Sequence, residues 1–389
     1  MQLPQKKFKE VCIVNTTCAG IIFSNLNLNT LSNLTADRTV AAIPFGCRYR
    51  LVDFALSNFV NANISNVHIV ANYNYRSLVD HIGSGKDWDL ARRKGGINIV
   101  SPFTTSRTPN APFYSYHMEA LISMKQFISE LSEDYIILTD SDRILNIDFK
   151  KVLTQHIKSS ADITLVTASQ EGHATHGQRQ LFVSHVSGKV TGLVLQNEPY
   201  TSYPDISLNI FVMRTDFLRQ LIKEAEENNI KSFTEYMVGT YRRLNFRVYR
   251  FDEYVATVSS FMDYYHTSIE LCTNPSARAS LLLKPEFPIY TRVHNSAPTV
   301  YKPSANVKNS MIADDCVIEG TVINSVLARG VHVAKGAVVR NSVLFWGAYV
   351  GNGASLNCVV ADKNVHISDN VTISGNENLP IYIEKGRRV

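Results

Sequence analysis

The sequence predicts an α/β domain built on a doubly wound parallel sheet, followed by a parallel β-helix. Two observations lead to this prediction. From about residue 10 to residue 270, short β-rich runs alternate with helical stretches. From residue 296 to residue 389 the chain has 16 Val and 7 Ile against 4 Leu, and aliphatic residues recur every six positions. The β-branched bias favours strands, and a six-residue period is typical of a parallel β-helix.

Six runs in the first region have the composition of strands. They are Val11–Val14, Val67–Val70, Tyr135–Leu138, Ile163–Val166, Leu208–Phe211 and Arg247–Arg250. Apolar residues at helical spacing predict helices over 49–62, 118–131 and 215–228. Because parallel sheets bind ligands at the carboxyl ends of their strands, we expect a site after Val14, around 139–142, and after the later strands.

The six-residue period is clearest in two series of three positions each. They are Leu327, Val333 and Val339, and Leu344, Val350 and Leu356. Residues 272–300 hold four prolines among short apolar pieces, which favours a connector. We therefore divide the chain into an α/β domain over 1–272, a linker over 273–295 and a β-helix over 296–389. An ordinary β-sandwich is the alternative for the last region.

Composition excludes several classes of protein. Hydrophobic residues make up 45% of the chain and the formal net charge is only +5, so neither a disordered chain nor a broad nucleic-acid surface fits. The apolar run near the start is too short for a signal core or a membrane span. The six cysteines stand apart, without metal-ligand spacing. We expect a reduced, soluble, cytoplasmic protein that binds neither nucleic acid nor membrane.

The segment Pro44-Phe-Gly-Cys-Arg-Tyr-Arg-Leu-Val-Asp-Phe-Ala-Leu-Ser-Asn58 resembles the nucleotide-sugar pyrophosphorylases, in particular bacterial glucose-1-phosphate adenylyltransferase. Further similar segments are His81–Leu90, Tyr135–Asp142, Ser207–Phe211 and the C-terminal hexapeptide coils. The resemblance implies a nucleotidyltransferase-like α/β domain with a mixed sheet, and a left-handed β-helix. It also implies a reaction in which ATP and glucose 1-phosphate give ADP-glucose and pyrophosphate.

The family's phosphate-binding loop follows its first strand and is rich in glycine, because glycine lets backbone N–H groups approach phosphates closely. We match this loop to Asn15–Ser24, which is followed by 25–31. The run contains Gly20 alone, has no arginine before Arg38, and would set the bulky side chains of Ile21–Phe23 where phosphate oxygens lie. The sequence therefore predicts no tight binding of a triphosphate at this loop.

The family's metal and sugar-phosphate residues are also incomplete. Asp142 matches a metal-binding aspartate, with Asp140 nearby, but Thr257 stands at the position of the second. A hydroxyl is a poor substitute for a carboxylate on Mg²⁺. Glu198 replaces the lysine that neutralises glucose 1-phosphate, which reverses the charge beside a phosphate. We therefore expect no intact catalytic set and no metal site, with Asp142 the sole candidate ligand.

Two groups of residues remain as candidate binding sites by resemblance. Glu119, Asp142, Ser207 and Asn209 match positions around the family's nucleotide and sugar pocket, and we expect them to line a residual ligand pocket. Arg38, Arg48 and Arg50 lie in or near the best-matched segment, and we expect a regulatory site for a sugar phosphate or phosphate there.

The leading hypothesis is a regulatory, catalytically impaired subunit of glucose-1-phosphate adenylyltransferase, in the manner of the two-subunit enzymes of Gram-positive bacteria. It predicts a hetero-oligomer with a catalytic subunit, most simply two of each chain. The partner would use Mg²⁺ and ATP, and this chain would bind no cofactor tightly. One alternative is an active sugar-phosphate nucleotidyltransferase with an atypical nucleotide loop. A distant alternative is a hexapeptide-repeat acyltransferase, for which the coils offer only His332 and His366.

Overall fold

A nine-stranded mixed sheet forms the centre of the α/β domain. The computed structural model describes residues 16–24, 31–71, 74–100, 116–171, 179–199 and 202–389. The strands of the sheet are β1 Cys18–Phe23, β2 Asn66–Val70, β3 Gly96–Val100, β4 Tyr135–Asp140, β5 Ile163–Ser169, β6 Gln180–Val186, β7 Lys189–Gln196, β8 Asp205–Arg214 and β9 Phe246–Arg250. Their order is β3-β2-β1-β4-β8-β5-β9-β7-β6. The sheet is mixed because β8 runs antiparallel to both β4 and β5.

Helices cover both faces of this sheet. They are α1 Ser32–Thr35, α2 Leu51–Asn61, α3 Arg76–Ile82, α4 His117–Ser123, α5 Lys125–Glu130, α6 Phe149–Ser159, α7 Thr215–Glu227, α8 Phe233–Thr240, α9 Phe261–Thr273 and α10 Pro275–Leu282. One buried apolar cluster packs α4, α5 and α7 against one face. A second packs α2 and α6 against the other. Burial of apolar area on both faces stabilises the sheet as the middle layer.

Most predicted elements of this domain are confirmed. The helix over 49–62 is α2 and that over 215–228 is α7, whereas the helix over 118–131 is two helices that meet at Met124. Five of the six strand runs lie in β2, β4, β5, β8 and β9. The sixth, Val11–Val14, lies outside the described residues. The first described strand, β1, occupies part of the run that the sequence assigned to the phosphate loop.

The C-terminal region is a left-handed parallel β-helix with three faces, as predicted, and every pairing between its strands is parallel, which excludes a sandwich. The first face holds Val300–Tyr301, Val317–Ile318, His332–Val333, Tyr349–Val350 and His366–Ile367. The second holds Asn306–Lys308, Thr321–Ile323, Val338–Arg340, Ser355–Asn357 and Thr372–Ser374. The third holds Met311–Ile312, Val326–Leu327, Val343–Leu344, Val359–Ala361 and Ile381–Ile383.

Aliphatic and polar residues have separate places in each coil. The six-residue series point inward, where Val333, Val350 and Leu356 are buried in one apolar cluster. Asn324 and Asn341, both with positive φ, turn the chain at one corner, and a ladder of asparagine side chains runs along it: Asn324 Nδ2 donates to Asn341 Oδ1 at 3.3 Å, and Asn341 Nδ2 to Asn357 Oδ1 at 3.1 Å. Asparagine tolerates this left-handed conformation better than most residues.

The two domains share a buried junction. Helix α10 falls within the stretch 273–295 that the sequence assigns to a linker; it begins with Pro275 and is capped by the side chain of Asn274. An apolar cluster at the junction contains Phe54 of α2 and Phe345 of the β-helix. Beside it, Arg38 donates from both Nη atoms to Asp362 at 2.9 and 2.8 Å, and Tyr382 donates to the same carboxylate. This ion pair is almost fully buried.

Candidate functional site

Asp140 ends β4 at the carboxyl edge of the sheet, where the sequence predicts a site. His117, the first residue of α4, contacts its Oδ1 through Nε2 at 2.6 Å, and Asn209 donates to its Oδ2 at 2.9 Å. Asn209 reaches this position because β8 is bulged between Ser207 and Ile210 and turns through a positive φ at residue 209. The edge thus brings together one carboxylate, one imidazole and one amide.

Opposing influences act on the Asp140 carboxyl. Burial favours its neutral form, but the charges of His117 and Arg143 and the hydrogen bonds from His117 and Asn209 favour the carboxylate. The net effect holds the pKa of Asp140 below its usual value. Asp140 is therefore an anion whose two oxygens are already engaged by the protein.

Asp142 lies two residues further along, next to a cation of the protein. Arg143 Nε is 3.5 Å from Asp142 Oδ1, and Arg143 Nη1 donates to Thr257 Oγ1 at 2.5 Å. Asp142 and Thr257, which the resemblance assigns to the metal positions, therefore both contact Arg143. The structure thus adds Arg143, which the sequence analysis did not assign to the site.

A cavity of about 200 Å³ opens beside these groups. It is lined by Tyr116, His117, Asp140, Arg143, Arg179, Gln180, Leu181, Leu195, Ile206, Ser207, Asn209, Ser232 and Thr234. Of the four residues predicted for a residual pocket, Ser207 and Asn209 line this cavity. Glu119 on α4 and the buried Asp142 do not, and Glu198 is exposed beyond the end of β7.

The placement of the phosphate loop on Asn15–Ser24 is wrong. Residues Cys18–Phe23 of that run form β1, in which Ile21 and Ile22 are fully buried core residues rather than obstacles to a phosphate. A Cβ at Gly20 would lie 2.6 Å from the ring of Phe59, so this glycine is required by packing. The segment that follows β1 is 24–30, which contains neither glycine nor arginine. Its residues 25–30 lie outside the described part of the chain.

A second cavity of about 200 Å³ lies between the two domains and is strongly basic. It is lined by Pro44, Cys47, Arg48, Tyr49, Arg50, His81, His294, Ala328, Arg329, Trp346 and Lys363. None of these described lining residues is acidic. Arg48 and Arg50, predicted for an anion site, are here, but Arg38 is not, because its guanidinium is buried against Asp362. Arg329 and Lys363 line the cavity from the β-helix, although no sequence motif indicates either residue.

The charges in this basic cavity destabilise one another. Burial, together with the charges of Arg50 and Arg38, lowers the pKa of Lys363 to about 8. Burial also lowers the pKa of Arg50 to about 10, with Arg38 and Arg292 acting in the same direction and Asp53 against it. None of the described lining residues supplies a carboxylate, so a bound anion such as a phosphate group would relieve the repulsion among these cations.

Other classes of site find no support in the described part of the chain. There, no group of three or more His, Cys, Asp or Glu residues is placed to hold a metal ion. None of the helices described has both the length and the apolar character needed to cross a membrane. The coil histidines both contact Tyr349 on one face of the β-helix: the ring of His332 meets it edge-on at 5.0 Å, and that of His366 stacks on it at 4.7 Å.

Comparisons with known proteins match both domains. The nucleotidyl transferase family model matches residues 29–178, and the model for the GlmU-like C-terminal hexapeptide matches residues 297–379. The glycogen biosynthesis protein GlgD of Bacillus subtilis (strain 168) is 32% identical, over 96% of this chain and 97% of its own length. GlgD of Geobacillus stearothermophilus is 33% identical over 84% of each chain. A glucose-1-phosphate adenylyltransferase of Fervidobacterium nodosum is 29% identical, over 91% of this chain and 85% of its own. This chain therefore belongs to the bacterial glucose-1-phosphate adenylyltransferase family, which includes the GlgD proteins.

Proposed function

We propose that this chain acts in glycogen biosynthesis as a regulatory, catalytically impaired subunit of glucose-1-phosphate adenylyltransferase. The observation that carries the proposal is the pair Asp142 and Thr257. Both residues contact Arg143 at the sheet edge, and they provide one carboxylate and one neutral hydroxyl. Phosphoryl-type transfer from ATP needs divalent metal held by anionic oxygen, and one carboxylate beside a hydroxyl holds it poorly.

Three further features support an impaired catalyst. Asp140 is engaged on both oxygens by His117 and Asn209. The segment after β1 lacks the glycines that bring backbone N–H groups to a triphosphate. Glu198, at the position of the family's lysine, lies outside the cavity and brings a negative charge in place of a positive one. We therefore propose that this chain binds no cofactor tightly and that its partner uses Mg²⁺ and ATP.

A subunit without chemistry affects a reaction only through contact with one that performs it. We expect a hetero-oligomer with a catalytic subunit, most simply two of each chain, in which this chain biases the partner between states of different activity. The extensive junction between the α/β domain and the β-helix supports this role, because a strain at one domain reaches the other through packed side chains.

The basic cavity between the domains is the proposed effector site. A sugar phosphate or phosphate bound there would contact Arg48 and Arg50 from the α/β domain and Arg329 and Lys363 from the β-helix. The effector would therefore bridge the two domains, and its binding energy would depend on how they are docked. Occupancy of the cavity would in this way be linked to the state of the oligomer.

The experiment that tests the proposal measures ADP-glucose formation by this chain alone, by a catalytic subunit alone, and by the two co-expressed. We expect negligible turnover by this chain alone, co-elution of the two chains in gel filtration, and higher activity of the complex. Turnover by this chain alone at the level of the catalytic subunit would refute impairment. Absence of a complex, or a complex with the kinetics of the catalytic subunit alone, would refute regulation.

The effector site has its own test in the same complex. Replacing Lys363 by Gln should raise the concentration of sugar phosphate or phosphate needed for half-maximal activation by roughly tenfold, because one charge-assisted contact with the anion is lost. The matched control is Lys335→Gln, an exposed lysine of the β-helix outside the cavity. Equal effector responses of the two variants would exclude the basic cavity as the effector site.

A further inference from the structure

Backbone pairing fixes the position of Arg143. It begins the short strand Arg143–Leu145, which runs antiparallel to Val255–Thr257, with Arg143 directly opposite Thr257. The N–H of Val258 donates to the carbonyl of Asp142 at 2.9 Å, which fixes the backbone of the residue just before Arg143. The guanidinium therefore lies between the Asp142 carboxylate, 3.5 Å from Nε, and the Thr257 hydroxyl, 2.5 Å from Nη1.

The groups at this place do not suit a divalent cation. Mg²⁺ requires several hard oxygen ligands in near-octahedral geometry, preferably with more than one carboxylate. Asp142 offers one carboxylate and Thr257 one hydroxyl, while Asp140 is engaged by His117 and Asn209. The guanidinium remains charged at any physiological pH, so it repels a metal ion permanently.

We infer that the guanidinium of Arg143 is a resident cation that takes the place of a divalent metal ion between Asp142 and Thr257. It neutralises Asp142, donates to the hydroxyl, and lines the cavity with positive charge. A phosphate group that enters this cavity meets Arg143 rather than a metal ion, so its binding is independent of Mg²⁺. A cation of the protein itself therefore lies beside Asp142.

The same geometry predicts how the site responds to substitution. Arg143→His removes the guanidinium, and Thr257→Asp adds the second carboxylate, so the double variant gains the ligands that a divalent cation needs. Thr257→Asp alone leaves Arg143 between two carboxylates, where its ion pairs engage both groups and its positive charge still opposes a metal ion. We expect the single variant to remain insensitive to metal and the double variant to acquire a metal site.

The test is a Mn²⁺ titration of the full chain by electron paramagnetic resonance, with thermal unfolding in the presence and absence of Mg²⁺. We expect the unsubstituted chain to bind no Mn²⁺ through Asp142, so Asp142→Asn should leave its Mn²⁺ titration unchanged. Mg²⁺ should also leave its Tm unchanged. The double variant should bind Mn²⁺ more tightly by about tenfold or more, and Mg²⁺ should raise its Tm.

Metal binding by the unsubstituted chain that Asp142→Asn abolishes would overturn the inference, as would metal binding by Thr257→Asp alone. A folded double variant that binds Mn²⁺ no better than the unsubstituted chain would also overturn it. If the double variant does not fold, metal insensitivity of the other two proteins still supports the inference. This inference deepens the proposed function and rests on it for the identity of the site, yet the two fail separately, because Mn²⁺ binding is measured without substrates and turnover is measured independently.

Discussion

The buried ion pair between Arg38 and Asp362 provides a sharp test of how the two domains are held together. Both side chains are almost completely buried, and the two hydrogen bonds between them measure 2.9 and 2.8 Å. We consider three variants: Arg38→Met, Asp362→Asn and the double substitution. Methionine keeps an unbranched apolar chain in place of the arginine, whose guanidinium carbon lies over the ring of Phe345, and asparagine keeps the shape of the aspartate.

Each single substitution leaves one buried charge without its partner. Breaking such a pair costs about 3–5 kcal/mol, whereas replacing both members by neutral residues of similar size is often close to neutral. We therefore expect each single variant to lose about 3–5 kcal/mol of unfolding free energy at pH 7. The double variant should lose less than either single variant, because no uncompensated charge remains.

The two single variants should differ in their dependence on pH. Burial acts to raise the pKa of Asp362, but in the intact pair the hydrogen bonds and charge of Arg38 prevail and hold it below its usual value. Without Arg38 the burial effect prevails, the pKa rises, and protonation at lower pH relieves the penalty. The deficit of Arg38→Met should thus shrink from pH 7 to pH 5. That of Asp362→Asn should not, because a guanidinium does not release its proton.

Urea unfolding provides the assay, with the fluorescence of the two tryptophans as one probe and far-UV circular dichroism as another. Trp88 is buried in the α/β domain and Trp346 is half exposed on the β-helix, so both domains are reported. Coincident transitions license the comparison of free energies. The reasoning is refuted if the double variant loses the sum of the two single losses, or if neither single loss exceeds about 1 kcal/mol, the value for an exposed pair.

Two further substitutions test the core of the α/β domain. Burial lowers the pKa of His68 to about 4, so the folded state loses stability as pH falls from the ordinary value near 6.5. Between pH 7 and pH 4.5 the unfolding free energy measured in urea should fall by about 2 kcal/mol less in His68→Leu than in the unsubstituted chain. The exposed control His266→Gln should leave that decrease unchanged. Equal slopes for both variants would contradict this. Gly20→Ala places a methyl group 2.6 Å from the ring of Phe59 and should cost about 1–3 kcal/mol in the same assay, which Phe59→Leu partly restores. An unchanged midpoint for Gly20→Ala would contradict the packing argument.

Most elements of the fold can be predicted from local sequence patterns, because these patterns reflect which residues of each element are buried. The six-residue period of the coils and the helical spacing of α2 are properties of neighbouring residues, and the structure confirms both. The position of β1 is not such a property. The strand forms at Cys18–Phe23 because these residues pair with β2 and β4 and because Gly20 fits against Phe59. All of these partners are distant in sequence.

The candidate sites divide in the same way. Arg48 and Arg50 belong to one continuous motif, and both line the basic cavity. Arg329 and Lys363 reach that cavity only because the β-helix docks on the α/β domain, and nothing local to them indicates it. Arg38 lies just before that motif and was predicted for the same site, but its partner Asp362 lies 324 positions away. Sequence proximity to a motif therefore identifies candidate ligands, while docking decides which of them are already neutralised.

Helix α2 joins the two cavities physically. At its start, the backbone N–H of Arg50 donates to Asp53 at 3.0 Å, and Asp53 also contacts His81, which lines the basic cavity. Near its end, Asn58 donates to the carbonyl of Leu145 at 3.0 Å and accepts from the N–H of Ile147 at 3.2 Å, just beyond Arg143. The helix spans about 12 Å between residues 50 and 58 and is buried along this length. An anion that contacted Arg50 would therefore act on the helix that positions the segment carrying Arg143, so α2 gives the basic cavity a direct structural connection to the sheet edge.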